Sequence, residues 1–134
     1  MKLIVNTDGG ARGNPGPAGI GVVIRNDAEE IIFEHGSYIG EQTNNVAEYS
    51  ALIKALEAAH DLGGTDVLVR MDSELIVKQM QGLYKIKEPT LQGLAARVVK
   101  LKNSFHSVVF AHVRREFNKD ADRMVNQALD AELK

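Results

Sequence analysis

Four acids far apart in the chain stand where acids are costly. Asp8 follows the apolar run KLIVN and precedes the turn-rich GGARGNPG, and Asp72 closes the apolar run VLVRM. Glu48 heads a stripe of Leu52, Ala55, Leu56, Ala59 and Leu62, and Asp122 leads Val125 and Leu129 at helical spacing. An ionised carboxylate on an apolar face is unfavourable unless something pairs with it. Several carboxylates gathered together also repel unless a counter-charge joins them. A divalent cation supplies that charge. Oxygen ligands without a single cysteine in the chain point to magnesium or manganese rather than zinc. Two such ions about 4 Å apart suit in-line displacement at phosphorus, one activating water and the other steadying the departing oxygen. Ordinary roles compete at each position. Asn45-Val46-Ala47-Glu48 has the form of a capping box, Asp72-Ser73 could cap a helix, Asp8 could be a turn residue and Asp122 a dipole-favoured surface acid. Those readings stay open residue by residue, but together they do not explain why two strand-end acids and one helix acid point inward.

Elements that would position these acids follow from the hydrophobic periods. KLIVNTD reads as a strand ending at the glycine turn. AGIGVVIRN and EIIFEHGSYI form a hairpin across NDAE. From Asn45 to Leu62 the period changes to three and four, which is a helix stopped by Gly63-Gly64. VLVRMD is a strand, SELIVKQMQG a short helix with a serine cap, and LYKIKEP a connector. TLQGLAARVVKLKN is a further helix, SVVFAHV a fifth strand, RREFNKD a polar loop, and a last helix starts about Lys119. Three sequential strands followed by alternating units predict an α/β fold with a mixed sheet flanked by helices. Strand-end acids in such sheets sit where ligand sites gather.

With 134 residues the chain is expected to form a single domain over 1–134. No apolar run approaches the roughly 20 residues that span a bilayer, so no membrane partner is expected, and the absence of cysteine fits a cytoplasmic protein. Net charge is −2, but it is unevenly spread. Residues 1–77 hold 5 Lys+Arg and 12 Asp+Glu, whereas residues 78–123 hold 10 and 4. Such asymmetry can mark a polyanion-binding face beside an acidic site, or simply solvated helix surfaces.

TDGGARGNPG, TNNVAEYSALIKALEAA, MDSELIVKQM and the closing NKDADRMVNQAL resemble, in order, the motifs of the type 1 ribonuclease H family, and the likeness runs from about Val5 to Leu129. The resemblance implies a ribonuclease H-like fold: a five-stranded mixed sheet, its first three strands antiparallel, flanked by helices. It implies magnesium-dependent endonucleolytic cleavage of the RNA strand in RNA–DNA hybrids, with 5′-phosphate and 3′-hydroxyl ends. Two Mg2+ ions, with Mn2+ as a substitute, would be held by Asp8, Glu48, Asp72 and Asp122. Asn14, Asn44 and Asn45 match asparagines in the minor groove of the hybrid, and Thr43 a threonine at a DNA-strand phosphate. Gly9, Gly10 and Arg12 belong to the same substrate-binding set. The glycines are expected to let backbone approach nucleic acid, where amides reach the ribose 2′-hydroxyl.

Two departures from the family pattern stand out. The basic helix and loop that many members insert after the Asp-Ser helix is missing. Weaker hybrid affinity is therefore expected, partly offset by Lys78, Lys85, Lys87, Arg97, Lys100 and Lys102. The loop before the last helix also lacks the family's histidine; Arg114, Arg115 or Glu116 could stand in for it. His112, just upstream, is expected to be a satisfied strand histidine. Double-stranded RNA is a further candidate substrate, and a monomer is expected. The alternative from another class is a non-cleaving nucleic-acid-binding module on the same fold. A phosphate loop is disfavoured, because GGARGNPG lacks the Gly-Lys-Ser/Thr ending.

Overall fold

The computed structural model describes residues Met1–Lys134. Strands β1 (Lys2–Ala11), β2 (Gly16–Arg25) and β3 (Ile31–Gln42) precede helix α1 (Asn44–Asp61). Strand β4 (Asp66–Met71), helices α2 (Glu74–Met80) and α3 (Pro89–Lys102), strand β5 (Ser107–His112) and helix α4 (Lys119–Glu132) complete the order. The strands form one sheet in the order β3-β2-β1-β4-β5. β1, β2 and β3 pair antiparallel, and β4 pairs parallel with both β1 and β5. The mixed α/β architecture read from the sequence is the one observed.

Period two decides which strand residues are buried. In β4, Val67, Val69 and Met71 are buried while Leu68 and Arg70 between them are half-buried. Those inward residues join Leu3, Val5, Val22 and Ile24 from β1 and β2 under α1, α2 and α3. Leu52, Leu56 and Tyr49 of α1 are completely buried against them. Each such side chain contributes roughly 1.5–3 kcal/mol on leaving water. α4 covers the opposite sheet face, where Gly21 and Gly36 leave its backbone room. A Cβ at Gly21 would collide with the Ala121 carbonyl, and one at Gly36 would lie 2.5 Å from the Met124 carbonyl oxygen.

Several boundaries differ from expectation. β1 does not stop at Asp8 but runs on to Ala11, because its antiparallel ladder with β2 continues through Asp8↔Gly21 to Ala11↔Ala18. The parallel ladder with β4 does stop there, with Thr7↔Met71 as its last rung. α1 is capped by Thr43, whose hydroxyl accepts from the Val46 amide at 3.2 Å. Glu48 therefore lies in the second turn, and the capping-box reading fails. Ser73 caps α2 through the Ile76 amide, so Asp72 is not a cap either. Part of the polar loop is a 3-10 turn, Arg115–Phe117. His112 lies on β5 as expected but is exposed.

Candidate active site

Asp8 and Asp72 each sit one residue past the final rung that joins β1 to β4. Parallel strands in register thus deliver two carboxylates side by side at one sheet edge. α1 crosses that edge and brings Glu48. Carboxylate oxygens of Asp8, Glu48 and Asp72 lie within 4.8 Å of one another. Asp122, in the first turn of α4, lies outside that group but close enough to help raise the Asp8 carboxyl. All four line one cleft of about 480 Å³, together with Gly9, Gly10, Arg12, Asn44, Arg115 and Asn126.

The packing that closes this corner depends on Gly9. A Cβ there would collide with the Ala47 carbonyl and lie 2.6 Å from the Glu48 amide nitrogen. Only glycine allows α1 so near to β1, and that approach sets Glu48 beside Asp8. The sequence reading assigns Gly9 to nucleic-acid backbone; its missing side chain is already required by the helix. Gly10, by contrast, faces open space.

Electrostatics of the cluster are severe. Burial, then the Asp72 carboxylate and then Asp122, push the Asp8 carboxyl from 3.8 up to about 8. Burial and the charges of Asp8 and Asp72 hold Glu48 well above the ordinary range. Asp72 is also raised, chiefly by burial, although Asn118 and the Arg115 guanidinium oppose the shift. Glu48 Oε2 is buried with no hydrogen-bond partner. A buried acceptor without a donor is expensive, and a bound cation is one way to satisfy it. Hard oxygen donors from Asp8, Glu48, Asp72 and Asp122 fit magnesium or manganese.

The remaining residues singled out from the sequence divide between two clefts. Gly9, Gly10, Arg12 and Asn44 line the acidic one. Asn14, Thr43 and Asn45 line a neighbouring cleft of about 490 Å³ with Glu88 and Thr90. The first turn of α1 separates the two. The GNPG turn, with its cis Asn14-Pro15 bond, is latched to that turn. The Asn44 amide donates to Asn14 Oδ1 at 3.0 Å, and the Ala11 amide donates to Asn44 Oδ1 at 2.8 Å. Arg12 reaches the other way, to Asp130 at 2.7 Å and Asn126 at 3.4 Å on α4. Of the three candidates for a missing histidine, only Arg115 lines the acidic cleft, 3.9 Å from Asp122. Arg114 and Glu116 pair with each other at 3.5 Å.

Two residues of this region were not anticipated. Asn126 donates to Asp122 Oδ2 at 3.3 Å. Asn118 is 1 % exposed and sits between β1 and α4. Both lie inside the NKDADRMVNQAL run, where no local spacing marks them as part of a site.

A family model described as reverse transcriptase-like matches residues 6–128. The bifunctional protein Rv2228c of Mycobacterium tuberculosis is 45% identical over 132 residues, covering 98% of this chain and 36% of that protein. Ribonuclease HI of Halobacterium salinarum is 45% identical over 123 residues, covering 92% of this chain and 62% of the relative. The chain therefore spans about a third of the first relative's length and under two thirds of the second's. A crystal structure of LC11-RNase H1 in complex with RNA/DNA hybrid superposes with a TM-score of 0.94 at 53% identity, covering 98% of this chain and 99% of that one.

Proposed function

The chain belongs to the type 1 ribonuclease H family, and on that premise we propose that it is an endonuclease that hydrolyses the RNA strand of RNA–DNA hybrids. One observation carries the reading: carboxylates from three separate elements meet within 4.8 Å around a buried, unpartnered Glu48 oxygen. Asp8, Glu48, Asp72 and Asp122 would hold two divalent cations, magnesium with manganese as a substitute, which when bound supply an activated water and a counter-charge for the departing oxygen, leaving 5′-phosphate and 3′-hydroxyl ends.

The rest falls to the chain's own groups. Asp8 and Asp72 are fixed by the sheet and Glu48 by α1, so the acids are arrayed before substrate arrives, which limits reorganisation during reaction. Arg115, 83% exposed, can swing over the cleft mouth toward a scissile phosphate, in the place where the family's histidine would act. Asn14 and Asn44 have committed their amide oxygens to backbone N–H groups. Each has its amide N–H2 left to donate, toward minor-groove acceptors or a ribose 2′-hydroxyl. Thr43 and Asn45 border the neighbouring cleft, where a strand backbone can continue. Exposed Lys85, Lys87, Arg97 and Lys100 lie on the connector and α3, and would add sequence-independent phosphate contacts.

End-labelled hybrid, duplex RNA and duplex DNA, each incubated with Mg2+ or with excess chelator, test the proposal. Cleavage confined to the RNA strand of the hybrid, stopped by chelator, is the expected result. Cleavage of duplex RNA as well would extend the substrate range. Retention of hybrid without any cutting would leave the non-cleaving module instead.

A further inference from the structure

Asn118 ties the start of α4, and the turn before it, to the β1 edge. Its Nδ2 donates to the Thr7 carbonyl at 2.9 Å, one residue before Asp8. The same side chain helps hold the Asp72 carboxyl down against the rise that burial imposes. Its Oδ1 accepts from Asn6 Nδ2 at 3.0 Å. Through its backbone, Asn118 accepts from the Asp122 amide at 3.1 Å, opening α4, and donates to Arg115 at 2.9 Å, closing the turn that carries the guanidinium.

The side chain thus donates to β1 and accepts from β1 in a position 1 % exposed. No hydrogen bond from this side chain caps α4, although it precedes that helix. A cap, a space-filling residue or a solvated loop residue would not need both a donor and an acceptor matched to β1. Only a primary amide presents two donors and an acceptor in one short plane, so neither aspartate nor leucine could replace it.

We infer that Asn118 is the positioning residue that holds Asp122, at the start of α4, at its distance from the Asp8 edge of β1, and through that placement sets how tightly the site takes up divalent cations. This rests on the reading of the cluster as a cation site. Partners that orient metal ligands typically change metal affinity or activity by about 10–100-fold when removed.

Two variants test it: Asn118→Ala, and Asn6→Ala, which removes only the donor that fixes Asn118 Oδ1. Mn2+ binding is measured by calorimetry without substrate, alongside hybrid cleavage as a function of Mg2+. For Asn118→Ala, Mn2+ affinity should fall about tenfold or more, half-maximal Mg2+ should rise to match, and kcat should drop while KM for hybrid stays within about twofold. Asn6→Ala should move the same quantities in the same direction by about threefold. That second variant decides the question if Asn118→Ala does not fold. A lowered melting temperature with Mn2+ affinity and Mg2+ requirement within twofold of the parent would reduce Asn118 to a structural residue and overturn the inference. If the parent itself bound no Mn2+ and cut no hybrid, the cation-site reading would fall, and this inference with it.

Discussion

Replacing Asp8 by asparagine keeps the shape of the side chain and removes one charge from the most crowded carboxylate in the molecule. The Asp8 carboxyl is held at about 8 rather than 3.8, mainly by burial and then by Asp72 and Asp122. A raised acid of this kind adds stability below its unfolded pKa and loses it as pH climbs through its folded pKa. Metal-free protein should therefore be most stable near pH 4 and weaken progressively up to pH 8. An interval of roughly four pH units at about 1.4 kcal/mol each sets a ceiling near 5–6 kcal/mol. The cleft is open to water and screens part of this, so about 2–4 kcal/mol is expected at pH 8. For a domain of this size that is a rise of roughly 5–15 °C in melting temperature for Asp8→Asn in chelator. Thermal melts of parent and variant at pH 4, 6 and 8, with and without Mg2+, measure it. Mg2+ should stabilise the parent and close the gap, whereas the variant should respond weakly and cleave no hybrid. Parent stability that is flat from pH 4 to 8 in chelator would refute the electrostatic account. Parent-rate cleavage by the variant would refute the assignment of Asp8 to the metal.

Glu48→Gln should likewise abolish cleavage, by a factor above about 10³ in single-turnover assays, because it removes a charge that no neighbour replaces. Gly9→Ala should destabilise the fold by about 2–4 kcal/mol in chemical denaturation, since its Cβ meets rigid backbone of α1; Gly10→Ala, facing open space, should cost under about 1 kcal/mol. Arg115→Ala should lower kcat with little change in KM, and Arg114→Ala should do neither. Lys85→Ala combined with Lys87→Ala should weaken hybrid binding and flatten the dependence of log K on log salt by about 1 for each phosphate left without its lysine.

How far the site can be read from the chain varies with how local each signal is. Asp72 is legible because β-branched VLVRM can only be a strand and Ser73 is a cap, and Glu48 because its stripe has an unmistakable period of three to four. The end of β1 is not, since glycine argues against strand; it is the ladder to β2, formed with a separate segment, that carries the strand to Ala11. Pairing also explains Gly9, whose role depends on how closely α1 crosses, something no local window contains. Thr43 reads from sequence only as a substrate contact, yet it also caps α1. Asn118 is hidden because its side-chain partners Asn6 and Thr7 are more than a hundred positions away.

The stripe of missing side chains beneath α4 has a mechanical meaning. Ala121 and Met124 press their carbonyls into the spaces at Gly21 and Gly36, so the helix is seated in notches rather than on a smooth plane. Sliding it by a fraction of a turn would lift it off the sheet, and the next seat along lies a whole turn, about 5.4 Å, away. In that seat Asn118 or Asn126 would occupy the height of Asp122, and the cluster would be short one acid. Along the helix axis the last carboxylate is thus either seated or a full turn away, which leaves its finer placement to the tether at the start of the helix, and substitutions on the helix's outer side need not disturb it.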